Sequence, residues 1–242
     1  MAQAVWLLAE VLCMADAAPP EVISIIGFGS LLSEASARTT FPTLTGFRLA
    51  KLTGFRRVFK HPSGRLVAKG LVPDGTLEFG SLSVERSDSH SIVVSVMEIP
   101  ASDKPALERR EAEYDLLETE YDILENVPGG ATTAGKGFMS CFVGDDKFLE
   151  KWGEKAYEEQ HGRWGIKSLT MYDREDSGLL PCPIYLRHCV LATQKAGQVA
   201  LDSFLDGTFL VDRKTSIRKY LEMRPEIMTM QPPDAVAHLY QG

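Results

Sequence analysis

Acidic residues are missing from one long stretch of this chain. No Asp or Glu occurs from Ala35 to Pro73, yet Arg38, Arg48, Lys51, Arg56, Arg57, Lys60, Arg65 and Lys69 all fall there. The net charge of the whole chain is -7, which argues against nucleic acid or an anionic membrane as the main partner. No aromatic stacking pattern accompanies the basic stretch, so a single-stranded RNA surface is not expected either. Two readings stay open. The cations either line a solvated face opposite acids elsewhere, or they set a positive field over a pocket for an anionic small molecule.

Cysteine is also scarce. Cys13, Cys141, Cys182 and Cys189 form no C-x-x-C pair, which fits reduced thiols in a cytosolic protein better than a disulfide framework. His61, His90, His161, His188 and His238 are isolated, with no H-x-x-x-H pair, so no metal site is expected. His188 and Cys189 are neighbours, but adjacent helix residues point in different directions and make a poor nucleophile–base pair. No segment approaches the ~18 to 20 apolar residues of a membrane span. The opening MAQAVWLLAEVLCMADAAPP lacks a positive start and is interrupted by Glu10. It reads as an extra helix ended by Pro19-Pro20, and not as a signal peptide.

At 242 residues, 44% hydrophobic and 24% charged, the chain has ordinary globular proportions and enough length for a sizeable core. Strands are expected at Val22–Gly27, Phe47–Phe59, Arg65–Val72, Glu78–Glu85 and Ser91–Ile99, with Gly, Pro and Asp between them. Ser102–Glu113 reads as a helix with Ser102 as its N-cap, inside an acidic helical segment, Ala106 to Tyr121. Tyr114–Leu124 turns strand-like, Gly129–Gly137 is loop, and Phe138–Val143 is a strand. Asp146–His161, Ile184–Leu205 and Arg213–Glu222 carry helical stripes. Many short strands first and helices later predict an α+β fold, a closed or nearly closed sheet with helices outside. The expected organisation is an N-terminal helical extension (1–20), a barrel domain (21–180) and a helical C-terminal region (181–242) packed on it.

Two nucleotide motifs nearly fit. Gly27-Phe28-Gly29 follows a strand, but Leu32 stands where a third glycine belongs, and the acid-free stretch holds no residue for the ribose hydroxyls. Gly130 to Gly137, GATTAGKG, matches G-x-x-x-x-G-K through Lys136 and then places Gly137 where Ser or Thr should meet magnesium. It also opens onto a strand, whereas a phosphate loop opens a helix. A glycine-rich loop beside a site is the better reading, with nucleotide binding through Gly130–Lys136 as a lesser alternative.

Four features occur in a fixed order: an apolar strand, the turn Phe28-Gly29-Ser30-Leu31, the basic strand Gly54–Arg57, and the Leu-x-x-Arg-Glu-x-x-Tyr segment Leu107–Tyr114. Together, over about Ile23 to Glu125, they resemble the γ-glutamylcyclotransferase-like superfamily, which includes the AIG2-like fold. The resemblance implies a small mixed β-barrel with surrounding helices and a pocket lined by the turn. It implies that Phe28, Gly29, Ser30 and Leu31 bind substrate and that Glu111 is the catalytic acid/base. Tyr114 and Arg57 are weaker substrate-binding candidates, and Glu113 is the rival to Glu111, since only one of the two can face the pocket from a helix. Ser203–Leu221 looks like a C-terminal extension of plant and algal members. Two departures stand out: Phe28 replaces the usual tyrosine, and Glu108 replaces the usual Asp.

The implied reaction is an intramolecular aminolysis. The α-amino group of a γ-glutamyl compound attacks its own γ-carbonyl, closing 5-oxoproline and expelling an amine. Both reactants lie in one molecule, so the protein mainly folds the substrate into attack geometry, while one carboxylate shuttles the protons. The turn amides suit the α-carboxylate or the oxyanion formed on the γ-carbonyl. Neither metal nor nucleotide is called for. The expectation is a cytoplasmic enzyme on a small molecule, with a non-catalytic binding or regulatory protein on the same fold as the alternative.

Overall fold

The computed structural model describes residues 21–124 and 134–242. The expected N-terminal helix, and the start of the glycine-rich loop, lie outside the described residues. Six strands are present: β1 Val22–Gly27, β2 Thr45–Pro62, β3 Gly80–Pro100, β4 Asp115–Ile123, β5 Ala134–Cys141 and β6 Thr208–Leu210. They run in the order β3-β1-β5-β4-β2, and β2 pairs back onto β3 to close a five-strand ring. β1 and β5 are parallel; the other ring pairings are antiparallel. β6 adds in parallel to the outside of β2. This is the α+β barrel with surrounding helices that the sequence led us to expect.

Two very long strands make closure possible. β2 and β3 pair from Thr45↔Glu98 to Pro62↔Gly80, with register shifts at Thr45/Arg48, Thr53/Phe55 and Phe59/His61. Such irregularities bend and coil a strand. Gly54, at φ +80°, occupies one of them, a backbone that L side chains rarely adopt. The expected pair Glu78–Glu85 and Ser91–Ile99 is therefore one strand, whose polar middle stays extended.

The helices are α1 Glu34–Arg38, α2 Gly64–Ala68, α3 Lys104–Arg110, α4 Asp145–Gln160, α5 Leu169–Tyr172, α6 Pro183–Ala196, α7 Gln198–Gly207 and α8 Ile217–Met223. Several differ from expectation. Arg65–Val72 is not a strand: Leu66 and Leu71 are buried together against Ile184 and Tyr240, a spacing a two-residue repeat cannot give. The acidic helix is short. α3 stops at Arg110 and β4 starts at Asp115, because Asp115–Asp122 pairs with Cys141–Ala134 along its whole length, a tertiary gain that overrides local helix preference. Ser102 is not its cap but lies in a short 3₁₀ turn, Ala101–Asp103. Ile184–Leu205 divides at Gly197, φ +105°. The C-terminal region is also not purely helical, since it contributes β6.

Gly135, Lys136 and Gly137 lie within β5, facing Tyr121, Glu120 and Thr119 across the ladder. The second near-miss motif thus ends in a paired strand, with Lys136 exposed and 3.5 Å from Glu120. One core joins the ring to the C-terminal helices: Ile26, Leu52, Phe59 and Val94 pack with Leu186, Phe204, Ile217 and Tyr220. No helix among the described residues is long and apolar enough to cross a membrane.

Candidate active site

The end of β1, the C-terminal end of α3, α2 and α6 surround a cavity of about 330 Å³. That volume is in the range of small-ligand sites. Phe28, Gly29, Ser30 and Leu31 line it, and so do Glu111, Glu113 and Tyr114. The turn and the acid segment, far apart along the chain, share one cavity.

The turn is held from behind by its carbonyl groups. Arg57 Nε donates to the Phe28 carbonyl (2.7 Å), and Ser95 Oγ reaches those of Gly27 (3.3 Å) and Leu31 (2.7 Å). The carbonyls of Gly29 and Ser30 accept from the amides of Leu32 and Ser33. The carbonyls of Phe28, Gly29, Ser30 and Leu31 are thus engaged within the protein. Amides at the start of such a turn have no acceptor inside it. Cys189 Sγ lies beside the turn, 3.5 Å from where a Cβ on Gly29 would stand. Burial pushes that thiol up to about 12, so it stays protonated.

Arg57 does not line the cavity. It is completely buried, and besides Phe28 it donates to the carbonyls of Ser203 (3.2 Å) and Val93, with the Phe204 ring 5.6 Å away. No carboxylate among the described residues pairs with it, and burial lowers it to about 9. Its place is behind the turn and outside the cavity lining; the basic strand of the motif holds the turn from within the core.

Glu111 occupies the C-cap of α3, φ −94° and ψ 27°. Its Oε1 accepts from Arg110 Nε at 2.9 Å, and the side chain is 13% exposed. Because the helix ends here, Glu113 is not rotated away as helical geometry requires. It also faces the cavity, which corrects the expectation that only one of the pair does. Ser63 Oγ donates to Glu113 Oε2 (3.0 Å) and the Arg65 amide approaches Oε1 (3.4 Å). Burial raises this carboxyl, against the opposing pull of Arg65 and Ser63. Tyr114 Oη lies 2.6 Å from Ser81 Oγ, and its ring lies 4.4 Å from that of His61. Burial, with Glu113 beside it, pushes the phenol well above its usual range, so it is neutral.

Sequence reading missed other lining residues. Arg65 and Lys69 come from α2, Tyr185 and His188 from α6, and Tyr240 from the end of the described chain. Arg65 and Lys69 carried a signal, being part of the acid-free stretch. The residues from α6 and Tyr240 carried none, since only the tertiary fold brings them here. Among the described residues no group of three or more His, Cys, Asp or Glu is arranged to hold a metal ion.

No family model and no curated protein matches this chain. Similar solved structures include one titled gamma-glutamyl cyclotransferase, 15% identical over 51% of this chain and 68% of its own, TM-score 0.40. A yeast gamma-glutamyl cyclotransferase specific to glutathione is 12% identical, over 90% of this chain and 92% of its own, TM-score 0.37. An aig2-like protein from Mus musculus is 14% identical, over 51% and 78%, TM-score 0.33. These names belong to the superfamily that the sequence motifs resemble. Superpositions this loose decide neither activity nor substrate.

Proposed function

We propose that this chain is a γ-glutamylcyclotransferase-like enzyme, releasing 5-oxoproline and a free amine from a small γ-glutamyl compound. What supports the reading is the meeting of Glu111 and the Phe28–Leu31 turn on one cavity. In this reading the turn amides hold the glutamyl group, by its α-carboxylate or by the oxyanion. Glu111 takes a proton from the substrate ammonium. The freed amine attacks the γ-carbonyl carbon, a C–N bond forms, and the carbonyl oxygen carries the negative charge. Collapse breaks the bond to the leaving nitrogen, which receives the proton from Glu111. The regenerated carboxylate then takes the second proton from the attacking nitrogen, leaving a neutral lactam, and passes it to the departing amine, which leaves as an ammonium. Atoms and charge balance without metal, nucleotide or a second substrate.

The test is incubation with γ-glutamyl-alanine and with glutathione, followed by assay for 5-oxoproline. Glu111→Gln is expected to lower the rate at least ~10²-fold with an unchanged thermal midpoint. Activity that survives in Glu111→Gln but disappears in Glu113→Gln moves the proton shuttle two positions along. Binding without turnover on a broad panel of γ-glutamyl compounds favours the non-catalytic alternative that Phe28, lacking the usual phenol, invites.

A further inference from the structure

We infer that Arg65 and Lys69 select the leaving group: they hold a carboxylate on the departing amine, so γ-glutamyl amino acids are preferred over γ-glutamyl amines. This inference rests on the cyclotransferase reading of the cavity and adds to it a substrate class and the residues that set it.

The acid-free stretch supplies the starting point. Four of its cations have acidic partners: Arg38 with Glu34, Arg48 with Glu98, Arg56 with Glu85, and Lys60 with Glu85 and Asp173. Arg57 is spent on carbonyl groups. Arg65 and Lys69 differ, because both line the cavity and neither makes a salt bridge among the described residues. Four positions apart along α2 and its C-cap, they are neighbours on one helical face.

Their present partners are neutral. Lys69 Nζ donates to Tyr240 Oη at 3.2 Å, with that ring's centroid 5.3 Å away. Arg65 Nη1 donates to the Arg110 carbonyl at 2.7 Å. Both contacts orient a cation without neutralising it. Burial, with Arg65 and Arg110 close by, lowers the Lys69 ammonium from its ordinary value against an opposing pull from Glu113.

The charge count then chooses the substrate. Three cations line the cavity (Arg65, Lys69 and Arg110) against two carboxyl groups, Glu111 and Glu113. Arg110 is turned to Glu111, and Glu113 is the one lining carboxyl set against the α2 pair, so the cavity keeps an excess of positive charge beside α2. A γ-glutamyl amino acid carries one ammonium and two carboxylates and is a net anion. A γ-glutamyl amine carries one of each and is neutral. Only the former brings a second carboxylate for α2 once the turn has taken the glutamyl end, and charge-assisted hydrogen bonds to it are the strong kind.

The deciding experiment compares kcat/KM for γ-glutamyl-alanine and γ-glutamyl-alaninamide, which differ only in the charge of the leaving group. Wild type is expected to favour the acid at least ~10-fold. Lys69→Met and Arg65→Met should each cut that preference several-fold, the acid losing more kcat/KM than the amide, and Lys69→Arg should retain it. Equal use of both substrates by the wild type overturns the inference and leaves the cyclotransferase reading intact. So does an equal loss on both substrates in Lys69→Met, which gives the cations to the glutamyl's own carboxylate or to the fold. Turnover of glutathione but of neither of these substrates overturns the inference alone, whereas no turnover on the whole γ-glutamyl panel removes the cyclotransferase reading and this inference with it.

Discussion

Two positions separate Glu111 from Glu113, and their surroundings differ in kind. Glu111 meets a guanidinium, whereas Glu113, 4% exposed, meets a serine hydroxyl, a backbone amide and the His61 ring. His61 Nε2 lies 3.9 Å from Glu113, but this is no ion pair. Burial holds His61 well below its usual range, with His161 and nearby cations adding to the effect, so the ring is neutral. Both of its nitrogens lack a hydrogen-bond partner among the described residues. Glu113 therefore keeps its proton to a higher pH in the folded protein than in the unfolded chain. Its contribution to stability is complete below the unfolded value, about 4.3, and is lost as pH rises through the raised folded value. Glu113→Gln keeps the shape and removes the ionisation. The thermal midpoint of wild type, relative to this variant, is expected to fall as pH is raised from about 4 to about 8. Histidine titration is common to both proteins and drops out of the difference. Parallel curves across that range would show that Glu113 is not desolvated in the folded state.

At the scale of elements, the turn after β1 is where local sequence decides most. A Cβ built on Gly27 would lie 2.5 Å from both Leu31 Cβ and Ser95 Oγ, so something must move, and Ser95 is the residue that clamps the turn. Gly27→Ala is expected to cost about 1–3 kcal/mol by overpacking and, under the proposed function, to lower the rate of 5-oxoproline formation, read by urea unfolding and by the same assay. Wild-type values for both would mean that the turn tolerates the shift and is not sealed from behind. This element was legible because an apolar run feeding Gly-Phe-Gly-Ser has few backbone solutions. The acid segment was legible as a motif but not as a shape: its charges suit a helix, and only pairing with β5 shows that the helix stops at Arg110 and so turns Glu113 inward. α2 was misread for a similar reason, since eight residues rich in aliphatics look like a strand until Leu66 and Leu71 find Ile184 and Tyr240. Arg57 looked like a ligand contact because a cation in a motif suggests an anion. What it serves is a set of carbonyl groups that no pattern of side chains reveals.

At the scale of the whole molecule, the question is whether barrel and C-terminal region unfold separately. Their shared core argues that they do not, and a charge network ties them further. Glu85 on β3 takes Arg56 (2.6 Å) and Lys60 (3.0 Å) from β2 and Arg213 (3.2 Å) from beyond β6, and Lys60 and Arg213 also reach Asp173 after α5. Burial alone would raise the Glu85 carboxyl, but Lys60, Arg213 and Arg56 outweigh it and hold it at about 2. Arg213, at φ 55°, is the non-glycine residue with positive φ among the described residues, so its placement carries a backbone cost that these contacts offset. Removing the charge at position 85 leaves Lys60 and Arg213 to share Asp173 and takes the carboxylate from Arg56. Glu85→Gln is expected to lose about 1–3 kcal/mol near neutral pH. The deficit should shrink as pH falls from about 4.3 toward 2, where the wild-type carboxyl takes up its own proton. Trp152 and Trp164 belong to the α4 side of the molecule, whereas far-ultraviolet circular dichroism follows all the helices and the barrel. If the network and shared core make one cooperative unit, fluorescence and dichroism will give coincident transitions in wild type and move together in Glu85→Gln. Two separated transitions, with only one displaced by the substitution, would show a C-terminal region that folds by itself, and the walls contributed by Tyr185, His188 and Tyr240 would then belong to a separable part of the site.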